Sequence, residues 1–222
     1  AYGQTGSGKS YTMVGYGGPD IGVIPLFNRD LFSRFGAGGS GQADLTGVTV
    51  SMLEIYNEQC FDLLDPKGRG EALQLRQHPR DGFYCPTLSQ VLVQSEAEVE
   101  MEMDVGTRNR TVASTAMNAT SSRAHTIFTL HLVSNKKGST VELSSKVNMI
   151  DLAGSESAGK TQATGSRLKE GANINKSLVT LGTVIRELSS AKASRNPPFR
   201  DSKLTMLLQT SLGGNSRCAM LA

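Results

Sequence analysis

Gly3-Gln4-Thr5-Gly6-Ser7-Gly8-Lys9-Ser10 is a complete G-x-x-x-x-G-K-[ST] phosphate-binding loop. Glycines in such a loop let backbone N–H groups turn inward around phosphates, the lysine reaches the β and γ oxygens, and the serine hydroxyl can hold Mg²⁺. The residues therefore imply a nucleoside triphosphate, the alternative being a glycine-rich turn that fits the pattern by chance. A loop of this kind needs a buried strand before it and a helix after it. Ala1-Tyr2 is too short to be that strand, so the expectation is that it lies outside these 222 residues. The helix after the loop is expected over residues 8 to about 14.

Two later segments extend the phosphate reading. Asn118-Ala119-Thr120-Ser121-Ser122-Arg123-Ala124-His125 gathers hydroxyls, a guanidinium and an imidazole just before an apolar run, although it could be only a polar loop. Val147-Asn148-Met149-Ile150 reads as a strand running into Asp151-Leu152-Ala153-Gly154-Ser155-Glu156. An acid at a strand end is well placed to bind Mg²⁺ through water, and the glycine lets a backbone N–H approach a γ-phosphate. Loop, hydroxyl-rich segment and Asp-x-x-Gly in this order make a phosphate sensor.

Between these motifs the pattern alternates helices and strands. Ile24, Leu31 and Phe35 share a helical face beginning near Pro25, and residues 36–41 read as a flexible loop. Val48, Val50 and Met52 alternate as in a strand that continues through Glu54 to Glu58. Short strands and turns mix over residues 73–93. Ser95 and Glu98 form a possible capping box for a helix reaching about Val105, with Gly106 past its end and Glu96, Glu100, Glu102 and Asp104 on a solvated face. Strands over 127–133 and 141–151 flank a turn at Lys136-Lys137-Gly138, and helices are expected over 173–189 and 202–212.

Composition indicates a cytosolic globular chain. No stretch approaches the roughly 18 apolar residues of a membrane span, and no signal peptide is expected ahead of the loop. Cys60, Cys85 and Cys218 are odd in number and lack metal-like spacing, which reads as reduced thiols. The net charge of +3 is unremarkable, but between residues 157 and 203 Lys160, Arg167, Lys169, Lys176, Arg186, Lys192, Arg195, Arg200 and Lys203 face only Glu170, Glu187 and Asp201. Such a stripe implies nucleic acid, an acidic protein or a merely solvated face. Phe199 is the one aromatic residue there, which weakens single-strand nucleic-acid binding.

The three motifs resemble the P-loop, switch I (N-x-x-S-S-R-S-H) and switch II (D-L-A-G-S-E) of kinesin motor domains. Ala172-Asn173-Ile174-Asn175-Lys176-Ser177-Leu178 resembles the start of the kinesin relay helix. Pro198-Phe199-Arg200-Asp201-Ser202-Lys203-Leu204-Thr205 resembles the loop and helix that touch tubulin, and Leu212-Gly213-Gly214-Asn215-Ser216 the segment before the last core strand. Leu75-Arg76-Gln77-His78-Pro79, Arg110-Thr111-Val112-Ala113 and Arg167-Leu168-Lys169-Glu170-Gly171 look most like the third kinesin subfamily, whose members commonly move vesicles.

The resemblance implies an α/β P-loop NTPase fold, a mixed central β-sheet flanked by helices on both faces, truncated at both ends. It treats residues 1–222 as one partial motor domain with P-loop 3–10, switch I 118–125, switch II 151–156 and a tubulin-binding region over 157–203. It implies ATP and Mg²⁺ as cofactors, microtubules (α/β-tubulin) as partner, no nucleic acid, no membrane contact, and a place in the cytoplasm on the microtubule cytoskeleton. Carried over position by position, Lys9 holds the β and γ phosphates while Gly3, Gln4, Thr5, Gly6, Ser7 and Gly8 form the cradle and Tyr11 sits beside adenine. Ser10 and Ser122 would ligate Mg²⁺, with Asp151 holding one of its waters. Ser121 and the Gly154 N–H would close on the γ-phosphate, and an Arg123 to Glu156 ion pair would latch the switches. Lys160, Arg167, Lys169, Lys176, Arg200 and Lys203 would face tubulin.

Duller readings stand beside these. Ser121 and Ser122 could only cap a turn, Arg123 with Glu156 could be a static surface pair worth less than about 1 kcal/mol, and His125 suits a structural imidazole at least as well as a catalytic one. His78 and His131 read as structural or surface residues. Ala124 stands where the family usually has serine, so a hydroxyl that could order the closed loop is missing; a modest loss of turnover is expected, several-fold if that hydroxyl stabilises closure by about 1 kcal/mol. Residues 190–198 carry only Lys192 and Arg195 where the subfamily often has a longer lysine-rich loop. Three functions remain in view: a microtubule-stimulated ATPase that moves along its track, a microtubule-binding module with little turnover, and a P-loop enzyme of another kind.

Overall fold

The structure is a computed structural model that describes residues 1–35, 43–67, 70–117, 121–136, 141–156, 166–190 and 196–222; the side chains of residues 43, 44, 113–117, 121, 166–172 and 174 fall outside that description. Expectations for the loop at 36–41, the centre of the 136–138 turn and the first part of the tubulin-binding region fall on residues outside it.

The frame is a sheet built on a long strand, β3 (Ala43–Tyr56). Along one edge β3 pairs with β8 (His125–Lys136) from Ala43↔Lys136 to Ile55↔His125, and β8 pairs with β9 (Glu142–Asp151). Along its other edge β3 pairs with β4 (Gln59–Asp62) and β7 (Val91–Val93). These ladders are antiparallel, as hairpin-linked strands allow. The mixed character enters at the chain's start. The Ala1 amine donates to the Ile150 carbonyl at 2.6 Å and Leu152 N–H donates to the Ala1 carbonyl at 3.2 Å, the bonding of a parallel pair around Asp151. Tyr2 N–H donates to Leu221, so Ala1-Tyr2 lies between β9 and the last residues and delivers the chain into the phosphate loop.

Alternation along β3 and β8 divides the core between two faces. Val48, Val50, Met52, Phe128 and Leu130 point to one side, where they meet Ile24 and Leu31 of α2 (Val23–Phe35) and Val99 and Met103 of α3 (Glu96–Met117). Leu53, Ile55 and Ile127 point to the other, against Leu178 and Leu181 of α4 (Ser166–Ser189) and Leu204 and Leu208 around α5 (Lys203–Leu207). Helices therefore cover both faces, as expected. The short hairpins β1 (Gly15–Gly17) with β2 (Asp20–Ile21) and β5 (Arg76–His78) with β6 (Gly82–Tyr84) lie outside the main sheet.

Some boundaries differ from the pattern reading. The helix after the loop, α1, spans Lys9–Met13. α3 begins as expected, with Ser95 Oγ accepting the Glu98 N–H at 3.3 Å, while the Glu98 carboxylate accepts from Gln94. It then runs through Gly106 to Met117 instead of stopping. Gly106 is a packing residue: a Cβ there would fall on the sulfur of Met52. Of its acids, Glu96 pairs with Arg29 at 3.3 Å. α4 starts seven residues before Asn173. The expected 202–212 helix is two pieces, α5, capped by Ser202 Oγ on Thr205 N–H, and α6 (Gln209–Gly213), with Leu208 at φ −87°, ψ 0° between them.

Candidate functional site

The phosphate loop lies against the C-terminal end of β9. Gly6 and Gly8 hold φ of 80° and 88°, in the left-handed region that favours glycine, and Gly8 leads directly into α1. Lys9 Nζ donates to the carbonyls of Gly3 at 2.9 Å and Gln4 at 2.7 Å, which curls its side chain back over the loop. Ser10, the second residue of α1, donates its hydroxyl to Asp151 Oδ2 at 2.5 Å. The other oxygen, Asp151 Oδ1, is buried and has no hydrogen-bond partner among the described residues.

That orphaned oxygen is the test of the cation. A buried carboxylate with one oxygen on a serine hydroxyl and the other unspent is a hard, anionic donor set, which suits Mg²⁺ far better than a soft metal. Among the described residues there is no cluster of three or more His, Cys, Asp or Glu that could hold a metal ion.

The switch segments are tied to the loop and to each other. Ser121–Arg123 form a single 3₁₀ turn, and the Gly154 N–H donates to the Ser122 carbonyl at 2.8 Å. Ser155 N–H donates to the Gly3 carbonyl at 3.0 Å. Glu156 accepts the Thr5 N–H at 2.8 Å and also the Thr5 hydroxyl. Burial pushes the Glu156 carboxyl up, but the two Thr5 bonds and the nearby Lys9 charge outweigh it and hold the group below its usual range. A Cβ on Gly154 would strike the Glu156 carboxylate and the Thr5 hydroxyl, so a side chain there would have to displace that pair. Arg123 is half-buried beside the turn; the side chain of Ser121 falls outside the described residues.

Behind Asp151 stands a charge cluster that the sequence reading did not identify. Arg110 of α3 lies 3.9 Å from both Glu54 Oε1 and Asp151 Oδ2, with all three side chains largely buried. The guanidinium sets a positive charge between two buried carboxylates, which would otherwise face each other without a counter-ion. The signal in the sequence is faint: an acid at position 54 inside the apolar Met52-Leu53-Glu54-Ile55 run, and an arginine far along a helix expected to end at Val105.

His125 takes the structural role. Nδ1 accepts the Ala153 N–H at 3.0 Å and Nε2 meets the Ser177 hydroxyl at 2.7 Å, joining switch I, switch II and α4. Burial, with a smaller push from Arg110, lowers its pKa to about 4, so the ring is neutral. His78 pairs with Asp81 and His131 meets Ser144, both away from the loop. Tyr11 is exposed, donates to Asp20 at 3.1 Å and tilts against Tyr16 with centroids 5.2 Å apart.

The basic residues lie on the α4–α5 side. Lys176 is exposed on α4. Arg200 donates to Gln77 Oε1 at 2.8 Å and its guanidinium stands 5.6 Å from the centre of the Phe83 ring. Lys203 opens α5, and its backbone N–H donates to Glu58 at 2.9 Å. Lys160 lies outside the described residues, as do the side chains of Arg167 and Lys169.

Comparison with known proteins agrees with this arrangement. The family model "Kinesin motor domain" matches residues 1–222. Human kinesin-like protein KIF1C is 49% identical over 231 residues, covering 100% of this chain and 21% of that protein. A solved fast kinesin superposes with a TM-score of 0.86 at 42% identity, covering 97% of this chain and 60% of its own. A solved KIF14 dimer with AMP-PNP in complex with a microtubule gives a TM-score of 0.81 at 40% identity over 97% of this chain and 62% of that one. The chain spans about a tenth to a fifth of the length of the curated relatives it matches. With its full length matched by the family model and its phosphate loop and switches joined as described, the chain belongs to the kinesin motor domain family.

Proposed function

We propose that this chain is the catalytic part of a motor that hydrolyses ATP under stimulation by microtubules and moves along them in the cytoplasm. The observation that carries the reading is the Ser10 to Asp151 contact with an unspent buried carboxylate oxygen beside it, at the point where Gly154 bonds Ser122. The KIF14 motor solved with AMP-PNP on a microtubule supports the nucleotide and the partner.

Phosphoryl transfer to water asks the protein for positioning and charge stabilisation more than for covalent chemistry. The backbone of Gly3, Gln4, Thr5, Gly6, Ser7 and Gly8 would cradle the phosphates, and Tyr11 would flank adenine. Lys9 would exchange two neutral carbonyl acceptors for charged β and γ oxygens, a stronger pairing. Mg²⁺, held by Ser10 and Ser122 with Asp151 reaching it through water, would supply neutralisation of phosphate charge. Ser121 and the Gly154 N–H would close on the γ-phosphate. An Arg123 to Glu156 ion pair would latch the switches, and Thr5 already draws Glu156 toward the loop. Lys160, Arg167, Lys169, Lys176, Arg200 and Lys203 would meet acidic tubulin. Because α4 joins switch II to this surface through His125 and Ser177, track binding and nucleotide state would bias one another.

One observation favours a second reading, a microtubule-binding module with little turnover. Ala124 is 2% exposed at the junction of the switch I turn and β8, and it offers no hydroxyl there. Steady-state ATP hydrolysis by the source gene's complete motor domain, with and without microtubules, separates the two. Strong stimulation is expected, with a modest further gain in Ala124→Ser. Microtubule binding without stimulated turnover would establish the tether instead.

A further inference from the structure

Tyr16 lies in β1 with its ring 83% exposed, so burial in the core does not account for an aromatic side chain at that position. The ring it meets is that of Tyr11, the residue after Ser10 in α1, with centroids 5.2 Å apart and planes inclined by 48°. The far end of Tyr11 is held from the same hairpin, because its hydroxyl donates to Asp20 Oδ1 of β2 at 3.1 Å. One exposed ring beside the phosphate loop is therefore fixed at two points. The hairpin that supplies both is itself tied to α1. Its strands pair at Gly15↔Ile21 and Gly17↔Asp20, and at its base the Gly22 N–H donates to the Val14 carbonyl at 3.2 Å. A Cβ on Gly15 would fall on the Asp20 carbonyl, and one on Gly22 on the backbone of Met13 and Val14. With backbones this close, Tyr16 and Asp20 meet Tyr11 as a fixed pair.

An exposed aromatic face is a surface on which any nucleobase can stack. A side chain already held in place loses less freedom when its ligand arrives than one the ligand must order. We propose that Tyr16 and Asp20 are positioning residues that pre-set the Tyr11 ring for the base of the bound nucleotide. The inference rests on the reading that a nucleotide occupies the phosphate loop with its base beside Tyr11. Both residues act through Tyr11 on the base end of the ligand, and the phosphate end is indifferent to them.

The test is calorimetric titration of the nucleotide-free complete motor domain, in Mg²⁺, with ADP and with pyrophosphate, which keeps the diphosphate and lacks the base and sugar. Tyr16→Ser and Asp20→Ala are each expected to weaken ADP binding roughly two- to tenfold, the effect of leaving one side chain to be ordered by the ligand, with pyrophosphate affinity unchanged. Tyr16→Phe keeps the ring and is expected to bind ADP as the parent does. In a Tyr11→Ser background, Tyr16→Ser is expected to add no further loss, because the ring it acts through is already gone. Parent-like ADP affinity in Tyr16→Ser, an equal loss toward pyrophosphate, or a full additional loss in the double variant would overturn the proposal and leave the nucleotide reading standing. A parent domain that binds neither ligand, or both equally, would overturn the reading of the site and this proposal with it.

Discussion

His125 Nδ1 accepts the Ala153 N–H, so the ring's proton sits on Nε2 and is given to the Ser177 hydroxyl. Burial disfavours the charged ring and Arg110 adds a smaller push, which together lower its pKa to about 4 from 6.5; protonation would also put a second N–H against a backbone donor. The unfolded chain therefore takes up a proton below pH 6.5 that the folded chain refuses until about pH 4. The stability this neutral ring contributes is complete above pH 6.5 and is lost as the pH falls toward 4, by about 3 kcal/mol at most. Urea midpoints for the protein and for His125→Gln at pH 7, 5.5 and 4.5 check this. The variant is expected to lose less stability on acidification, and parallel losses would remove His125 as the cause. The same neighbourhood shows which residues a sequence declares. Gly3 to Ser10 and Asp151 to Gly154 are legible because phosphate chemistry fixes residue types at fixed spacing. Arg110 and Glu54 are not, since their meaning arises only when α3 lies across β3 and sets them both at Asp151.

Gly106 illustrates the same limit for whole elements. Glycine costs a helix interior about 1 kcal/mol relative to alanine, so on local grounds α3 should end there. It continues because the missing Cβ is the space taken by Met52, and the close approach of α3 to β3 that results lets the next turn present Arg110 to Glu54 and Asp151. Tertiary packing outweighs propensity at one residue, and twelve residues of helix were hidden from the pattern reading for that reason. Gly106→Ala gains the helical term but overpacks a tight contact, which typically costs roughly 1 to 3 kcal/mol. A net loss of about 1 kcal/mol is expected as a lower urea midpoint with an unchanged slope. A variant more stable than its parent would show that Met52 yields freely. The start of α3, by contrast, was legible from its capping residues, that of α1 from the phosphate loop before it, and that of α2 to within two residues from Pro25 and face spacing.

Across the whole molecule the phosphate loop and the basic surface are joined by β3 and by α4. The turn between β3 and β4 holds Asn57 and Glu58 at φ of 52° and 58°, and from it Asn57 Oδ1 receives the Asn173 side-chain amide of α4 while Glu58 receives the Lys203 N–H of α5. Three residues before that turn is Glu54, in the cluster at Asp151. A surface held this firmly presents its cations as a fixed array, and a fixed array of exposed charges attracts an acidic partner in a way that salt weakens. Lys176 and Arg200 are both exposed on that array, so Lys176→Glu with Arg200→Glu removes two attractions and adds two repulsions. Microtubule affinity of the complete motor domain, measured by co-sedimentation at low salt, is expected to fall by at least tenfold, about 1.4 kcal/mol. Added salt is expected to weaken the parent steeply and the variant less, because fewer attractive charges remain to be screened. ATP turnover without microtubules is expected to stay near the parent value, since neither residue lies at the phosphate loop. Equal affinities at low salt would move the tubulin contact off this face.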